Sequence, residues 1–235
     1  MLPIAILAGG LATRLHPLTV KIPKAMVNIC GEPFAHWQIK LLAKAGICNI
    51  VYCVAYKSEM LEEFLGDGSR YGVHIQYSHD GPTQLGTGGA VIKALPLLGE
   101  KFMVLYGDSY LPIDYAKVAK IFLEGKNPAL MTVYQNDNNL DTSNVLFRDG
   151  QIEIYAKGEN SSNLHHIDYG LSCFDSSVFS PFGRQAPVDL SVICAELSAS
   201  KLLAGFEVYD RFYEIGSFNG IRDFTEYIKG TKNDI

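Results

Sequence analysis

Short apolar runs and amphipathic stretches alternate along the first two-thirds of the chain. Leu2 to Ala8 is an apolar run closed by Gly9, the pattern of a strand buried on both faces. Phe34, Trp37, Leu41 and Leu42 share one face of a helix predicted over Phe34 to Ala45, and Gly46 stops it. The same reading predicts strands at Asn49 to Ala55, Val73 to Tyr77, Phe102 to Tyr106 and Ala129 to Tyr134. Helices are predicted between them at Ser58 to Leu65, Gly88 to Leu97 and Asp114 to Leu123. Repeated β-α-β units build a mostly parallel sheet with helices on both faces, an α/β fold. In such a sheet the ligand crevice lies beyond the carboxyl ends of the strands. The loops after Ala8, Tyr77 and Tyr106 are therefore expected to converge.

From Asn136 the pattern changes. Asn136 to Thr142 is a polar turn segment. Val145 to Phe147 and Ile152 to Tyr155 flank Asp149-Gly150, a two-residue hairpin signal. A strand follows within Leu164 to Phe174, then a helix at Asp189 to Ser198, a strand at Leu203 to Tyr209 and a terminal helix at Ile221 to Ile228. This β-rich stretch reads as an appendage that completes the same domain and covers the crevice. No linker, repeat or low-complexity tract divides residues 1–235, so a single domain is expected.

Composition narrows the classes. Hydrophobic residues make up 48% of the 235 residues and charged residues 19%, which argues against disorder. No apolar run approaches the ~18 residues of a membrane span, and no basic segment precedes the first run as in a secretory leader. A net charge of -5 argues against a nonspecific nucleic-acid binder. It leaves room for a small anion held by a few local cations. The five cysteines, Cys30, Cys48, Cys53, Cys173 and Cys194, form no C-x-x-C pair. Buried thiols in a reducing cytoplasm are therefore expected rather than a disulfide framework or a zinc site. The six histidines show no metal-ligand spacing, and Gly-x-Ser-x-Gly is missing, so no serine-hydrolase reading follows.

Four segments carry candidate chemistry. In Leu7-Ala8-Gly9-Gly10-Leu11-Ala12-Thr13-Arg14 small residues follow a strand at once, so backbone N–H groups can face a phosphate. Arg14 and Lys24 add a planar guanidinium and a mobile ammonium near the same place. The bland alternative is a tight turn with two solvated cations. The spacing is neither G-x-G-x-x-G nor a Walker loop. In Thr83-Gln84-Leu85-Gly86-Thr87-Gly88-Gly89-Ala90 a glycine-rich turn opens a helix, and Gln84 has the paired donor and acceptor of a base reader. A surface loop is its alternative. Asp108 directly follows a buried strand, where a carboxylate suits Mg²⁺ or merely caps a turn. Glu214, beside Gly216, is either a second ligand returning to the crevice or a solvated strand-end charge.

Taken together these segments resemble nucleotidyltransferases that join a nucleoside triphosphate to a sugar 1-phosphate. Leu7-Ala8-Gly9-Gly10, Thr13-Arg14-Leu15, Pro17-Leu18-Thr19 and Pro23-Lys24 look like that family's opening loop. Gln84 to Ala90, Gly107-Asp108 and Glu214-Ile215-Gly216 follow in the family's order. The stretches Leu140 to Val145 and His166 to Ser172 are similar to the heptose 1-phosphate guanylyltransferase branch, and the short uridylyltransferases of cell-wall recycling are also alike. The resemblance implies a single domain of the nucleotide-diphospho-sugar transferase type, with a nucleotide-binding half at 1–135 and a sugar-binding half at 136–235.

It further implies that Arg14 holds the β- and γ-phosphates and that Lys24 contacts the α-phosphate or sugar phosphate. Asp108 and Glu214 would hold Mg²⁺. Leu7, Ala8, Gly9, Gly10, Leu11, Ala12, Thr13, Gln84, Gly88 and Gly89 would surround the nucleotide. Asn144, Lys157, Asp168 and Gly170 match positions that line the family's sugar pocket. The implied partners are an NTP, GTP first with UTP or CTP as alternatives, and a heptose or hexose 1-phosphate, on a cytoplasmic monomer or homodimer. Two departures stand out: Ala12 replaces a frequent glycine, and Glu214 replaces a frequent aspartate. A glycosyltransferase is a rival, but Asp108-Ser109-Tyr110 is not Asp-x-Asp. A noncatalytic nucleotide-sugar-binding subunit is another.

Overall fold

The computed structural model describes residues 1–10, 13–55, 57–136, 142–156, 163–183 and 187–232. In chain order the elements are β1 (Ile4–Leu7), β2 (Asn28–Ile29), β3 (Glu32–Pro33), α1 (Phe34–Lys44), β4 (Asn49–Val54), α2 (Ser58–Leu65), β5 (His74–His79) and α3 (Gly86–Leu98). There follow β6 (Lys101–Tyr106), β7 (Ser109–Tyr110), α4 (Tyr115–Glu124), β8 (Ala129–Gln135), β9 (Val145–Arg148), β10 (Gln151–Tyr155) and β11 (His166–Asp175). The chain ends with α5 (Leu190–Ala199), β12 (Leu203–Val208), β13 (Tyr213–Glu214) and α6 (Phe218–Lys232).

Local chemistry explains several boundaries. Asp114 caps α4 by accepting the Lys117 N–H at 2.9 Å. Asp149 and Gly150 take φ of 47° and 78°, the left-handed values that a two-residue hairpin turn requires. Among the described residues no helix is long and apolar enough to cross a membrane.

Nine strands form one sheet in the order β5-β4-β1-β6-β11-β8-β12-β10-β9. β5, β4, β1 and β6 are mutually parallel, in register Leu7↔Cys53 and Leu7↔Tyr106. β8 and β12 are also parallel to each other. β11 enters between β6 and β8 and runs antiparallel to both. The β-rich second half thus joins the main sheet rather than sitting over it. β9 pairs with β10 and, through Val145↔His166, with β11, so the far end curls back on itself.

The two faces bury separate cores because side chains alternate along each strand. Ile4, Ile6, Tyr52, Val54, Met103 and Leu105 face α1, α2 and α4. Ala5, Val51, Cys53, Phe102 and Val104 face α3 and α5. A third cluster packs Phe224 and Ile228 of α6 against Val27, Ile29 and Phe34. With helices on both faces, the carboxyl ends of β1, β4, β5 and β6 stay open along one edge. The amino end of the reversed β11 arrives at that edge too.

Candidate active site

Two clefts lie side by side on this edge, and Asp108 walls both. The first, of about 470 Å³, is lined by Leu7, Ala8, Gly9, Gly10, Lys24, Gln84, Tyr106 and Asp108, among others. The second, of about 490 Å³, is lined by Arg14, Asp108, Asn144, Asp168, Arg211 and Glu214, among others. The expected convergence of the loops after Ala8, Tyr77 and Tyr106 is realised here.

Asp108 reaches the seam because β6 ends tightly against β1. The Gly107 N–H donates to the Leu7 carbonyl at 3.0 Å. A Cβ on Gly107 would stand 2.5 Å from that same oxygen, so only glycine allows the crossing. Beyond it, Asp108 Oδ2 accepts from Lys24 Nζ at 2.8 Å. Both side chains are largely enclosed, at 19% and 27% exposure for Lys24 and Asp108, so the pair is shielded from solvent screening.

Glu214 arrives through a short ladder. β13 pairs antiparallel with β7, Glu214 opposite Ser109, and the Ile215 N–H donates to the Asp108 carbonyl at 3.0 Å. The Glu214 carboxylate accepts from Ser217 Oγ at 2.9 Å and from the Gly216 N–H. A Cβ on Gly216 would lie 2.5 Å from Glu214 Oε2 and 3.4 Å from both Asp108 Oδ2 and an Arg14 guanidinium nitrogen. The glycine thus leaves an open cradle between two carboxylates and a cation. Among the described residues no three His, Cys, Asp or Glu side chains gather at metal-binding distance. Two carboxylates do fit Mg²⁺, which takes one or two from protein and completes its shell with water and phosphate oxygens.

The residues expected to meet a sugar form a linked group. Asp168 N–H donates to Asn144 Oδ1 at 3.1 Å, and Gly170 N–H donates to Asp168 Oδ1 at 3.0 Å. The hydroxyls of Tyr106 and Tyr155 approach Asp168 Oδ2 at 3.5 and 3.4 Å. Burial pushes both phenols well above their ordinary range, with the Asp168 charge adding to it, so both stay protonated donors. Tyr106 therefore spans the wall between the clefts. Gly170 stands behind Asp168 rather than on the cleft surface.

The glycine-rich segment is arranged differently from the expectation. Gly88 and Gly89 donate their N–H groups to the Val188 carbonyl at 2.9 and 3.0 Å, and neither walls the first cleft. A Cβ on Gly88 would come within 3.0 Å of that carbonyl oxygen, so the glycine serves the contact between the starts of α3 and α5. Gly86, Thr87 and Ala90 face the cleft instead. Thr87 Oγ1 accepts the Leu190 N–H at 2.8 Å, and Asp189 Oδ1 takes the Thr87 N–H at 3.4 Å, so each helix caps the other. Gln84 bridges across the opening, its Nε2 donating to the Gly9 carbonyl at 3.3 Å.

Leu11, Ala12 and Lys157 lie outside the described residues, as does most of the Asn136 to Thr142 turn. The backbone of Thr13 opens a 3-10 turn, Thr13–Leu15, that carries Arg14. Sequence reasoning did not single out Asp80, Thr87 or Asp189 in the first cleft, nor Arg211 and Asp223 in the second. Arg211 and Asp223 pair at 2.6 Å. Asp80 had a legible signal, an acidic residue just past a strand end, as Asp108 is.

The nucleotidyl transferase family profile matches residues 4–148. The chain is 33% identical over 188 residues to N-acetylmuramate alpha-1-phosphate uridylyltransferase of Neisseria meningitidis, covering 78% of this chain and 81% of that protein. It is 31% identical over 209 residues to D-glycero-alpha-D-manno-heptose 1-phosphate guanylyltransferase of Campylobacter jejuni, covering 88% and 91%. The crystal structure of HddC from Yersinia pseudotuberculosis complexed with GMP-PN superposes with a TM-score of 0.81 at 22% identity, over 97% of this chain and all of that one, a likeness of fold. The chain belongs to the sugar-1-phosphate nucleotidyltransferase family of enzymes.

Proposed function

We propose that this chain transfers a nucleoside monophosphate, guanylate first, from an NTP to a sugar 1-phosphate, releasing pyrophosphate with Mg²⁺ bound. The observation that carries the reading is the pair of clefts that meet at Asp108. One has room for a nucleotide above the Gly9-Gly10 turn. The other offers Asn144 and Asp168, an amide and a carboxylate suited to sugar hydroxyls. The reacting phosphorus and oxygen would meet at the seam, where Lys24 and Arg14 supply positive charge.

In the reaction, a phosphate oxygen of the sugar 1-phosphate forms a bond to the α-phosphorus in line. The bond from that phosphorus to the β-phosphate oxygen breaks, and pyrophosphate leaves with the electron pair. The nucleophile is already an anion at neutral pH, so no strong general base is required. The barrier is the approach of two polyanions, and positioning with charge stabilisation lowers it. Lys24 holds the α-phosphate or the incoming phosphate, and Arg14 holds phosphate oxygens on the side of the second cleft. Asp108 and Glu214 would carry Mg²⁺, which when bound neutralises and aligns phosphate oxygens.

Guanylyl transfer is supported by the span of the Campylobacter relative, which matches 88% of this chain. Uridylyl transfer is the rival, supported by the 33% identity of the Neisseria relative. The test is pyrophosphate release from four NTPs against a panel of hexose and heptose 1-phosphates. Release with GTP and at least one sugar is expected. Silence with every pair, or turnover of a ready-made nucleotide sugar with an acceptor, would overturn the reading.

A further inference from the structure

The first cleft has a carboxylate with no part in phosphate chemistry. Asp80 follows β5 directly and is one of the residues that line the cleft. Its backbone is fixed on both sides: the N–H donates to the Val54 carbonyl at 2.9 Å, and its carbonyl accepts from Lys93 Nζ at 3.1 Å. Oδ2 accepts the Leu85 N–H at 3.1 Å, which fixes the plane of the carboxylate. This is an acceptor held in place at the end of a sheet strand, the kind of fixed group that discriminates between ligands.

Strand order says which end of a nucleotide meets it. β5 is the edge strand, with β4, β1 and β6 following. At a spacing of roughly 4.8 Å per strand, Asp80 stands about 14 Å along the sheet from the end of β6, where Asp108 and Lys24 meet. Phosphates belong with the cations there and would be repelled by Asp80. The base end of the nucleotide is left to lie over β4 and β5.

We infer that Asp80 reads the hydrogen-bonding edge of the nucleobase and selects guanine. This deepens the nucleotidyl-transfer reading and takes from it the identity of the cleft's occupant. An ionised carboxylate only accepts hydrogen bonds. Guanine alone presents two adjacent donors, N1–H and the N2 amine, to one such group. Uracil and thymine present a single N3–H between two carbonyl oxygens, which the carboxylate repels. Adenine and cytosine set an amine beside a ring nitrogen lone pair, with the same conflict. Gln84, the base reader expected from sequence, is engaged with the Gly9 carbonyl at the opening. Of the other carboxylates of this cleft, Asp189 accepts from the first turn of α3 and Asp108 accepts from Lys24 at the phosphate end.

The experiment titrates GTP, inosine triphosphate and UTP into the full-length chain by calorimetry, with pyrophosphate release measured in parallel. Inosine triphosphate lacks only the N2 amine. The unmodified chain should bind GTP about 10- to 100-fold tighter than inosine triphosphate, the effect of one hydrogen bond to a charged acceptor, and tighter still than UTP. Asp80→Asn, checked for folding by its thermal transition, should bring the GTP to inosine triphosphate ratio near one. Equal affinity for the two purines, a preference for UTP, or a folded Asp80→Asn variant that keeps the ratio would each overturn the assignment. Guanine selectivity in binding without pyrophosphate release for any sugar 1-phosphate would support Asp80 and sink the transfer reading instead.

Discussion

Asp108→Asn separates the two roles that the seam between the clefts assigns to one carboxylate. In the protein as described, Asp108 neutralises Lys24 at 2.8 Å. With an effective dielectric of 20, that distance gives a gross attraction of about 6 kcal/mol, most of which offsets the desolvation of two largely enclosed charges. Asparagine keeps the shape and a hydrogen-bond acceptor, so the net loss of stability should be ~1–2 kcal/mol, a fall in melting temperature of roughly 2–8 °C. The expected loss in turnover is far larger, about 100- to 1000-fold, the scale of removing one group that stabilises charge in the transition state. Pyrophosphate release at saturating magnesium, GTP and sugar phosphate measures the second, and a thermal melt the first. Adding Lys24→Met should recover most of the melting temperature, since no uncompensated cation remains, and should recover no turnover. Near-normal turnover in the folded Asp108→Asn variant would refute the reasoning, because the carboxylate would then serve only to neutralise Lys24.

Three further outcomes follow from the same geometry. Gly107→Ala places a methyl 2.5 Å from the Leu7 carbonyl and should cost ~1–3 kcal/mol in a thermal melt, whereas Gly10→Ala meets nothing within 4 Å, should melt normally, and should lower turnover by crowding the nucleotide. Arg14→Ala should slow transfer about tenfold or more and weaken binding of phosphate-bearing substrates, read by calorimetry and initial rates, with little change in melting because Arg14 is exposed. Asp175 is held below the ordinary carboxylate value of 3.8 by its hydrogen bonds from Ser177 and by Lys101. Its contribution is therefore complete above pH 3.8 and is lost as pH falls through the lower folded value. Acid melts of Asp175→Asn against the unmodified chain should differ at neutral pH and converge in that acid range.

The longer strands and helices are legible in the sequence because periodicity and punctuation act over a few residues, whereas the two-residue strands β2, β3, β7 and β13 are too short to leave a pattern. The run ending at Ala8, the helix stripe of Phe34 to Leu42 and the Asp149-Gly150 hairpin were all legible for that reason. The opening loop, Gly107-Asp108 and Glu214-Ile215-Gly216 were legible as motifs, and parallel β-α-β logic placed the first two at one edge. That β11 threads between β6 and β8 in reverse emerges only from tertiary packing, since its pairings join residues 31 to 74 positions apart with no local mark. That insertion carries Asp168 to the same edge as Asp108 and creates the second cleft. Gly88 and Gly89 illustrate the converse: a glycine-rich turn that opens a helix reads as part of a nucleotide's surroundings, and the fold sets Val188 across from it. Asp80 carries the same strand-end signal as Asp108, but it is the strand order that sets the two at opposite ends of the first cleft. A side chain's type is written locally, but the partner it faces is chosen by how the whole sheet packs.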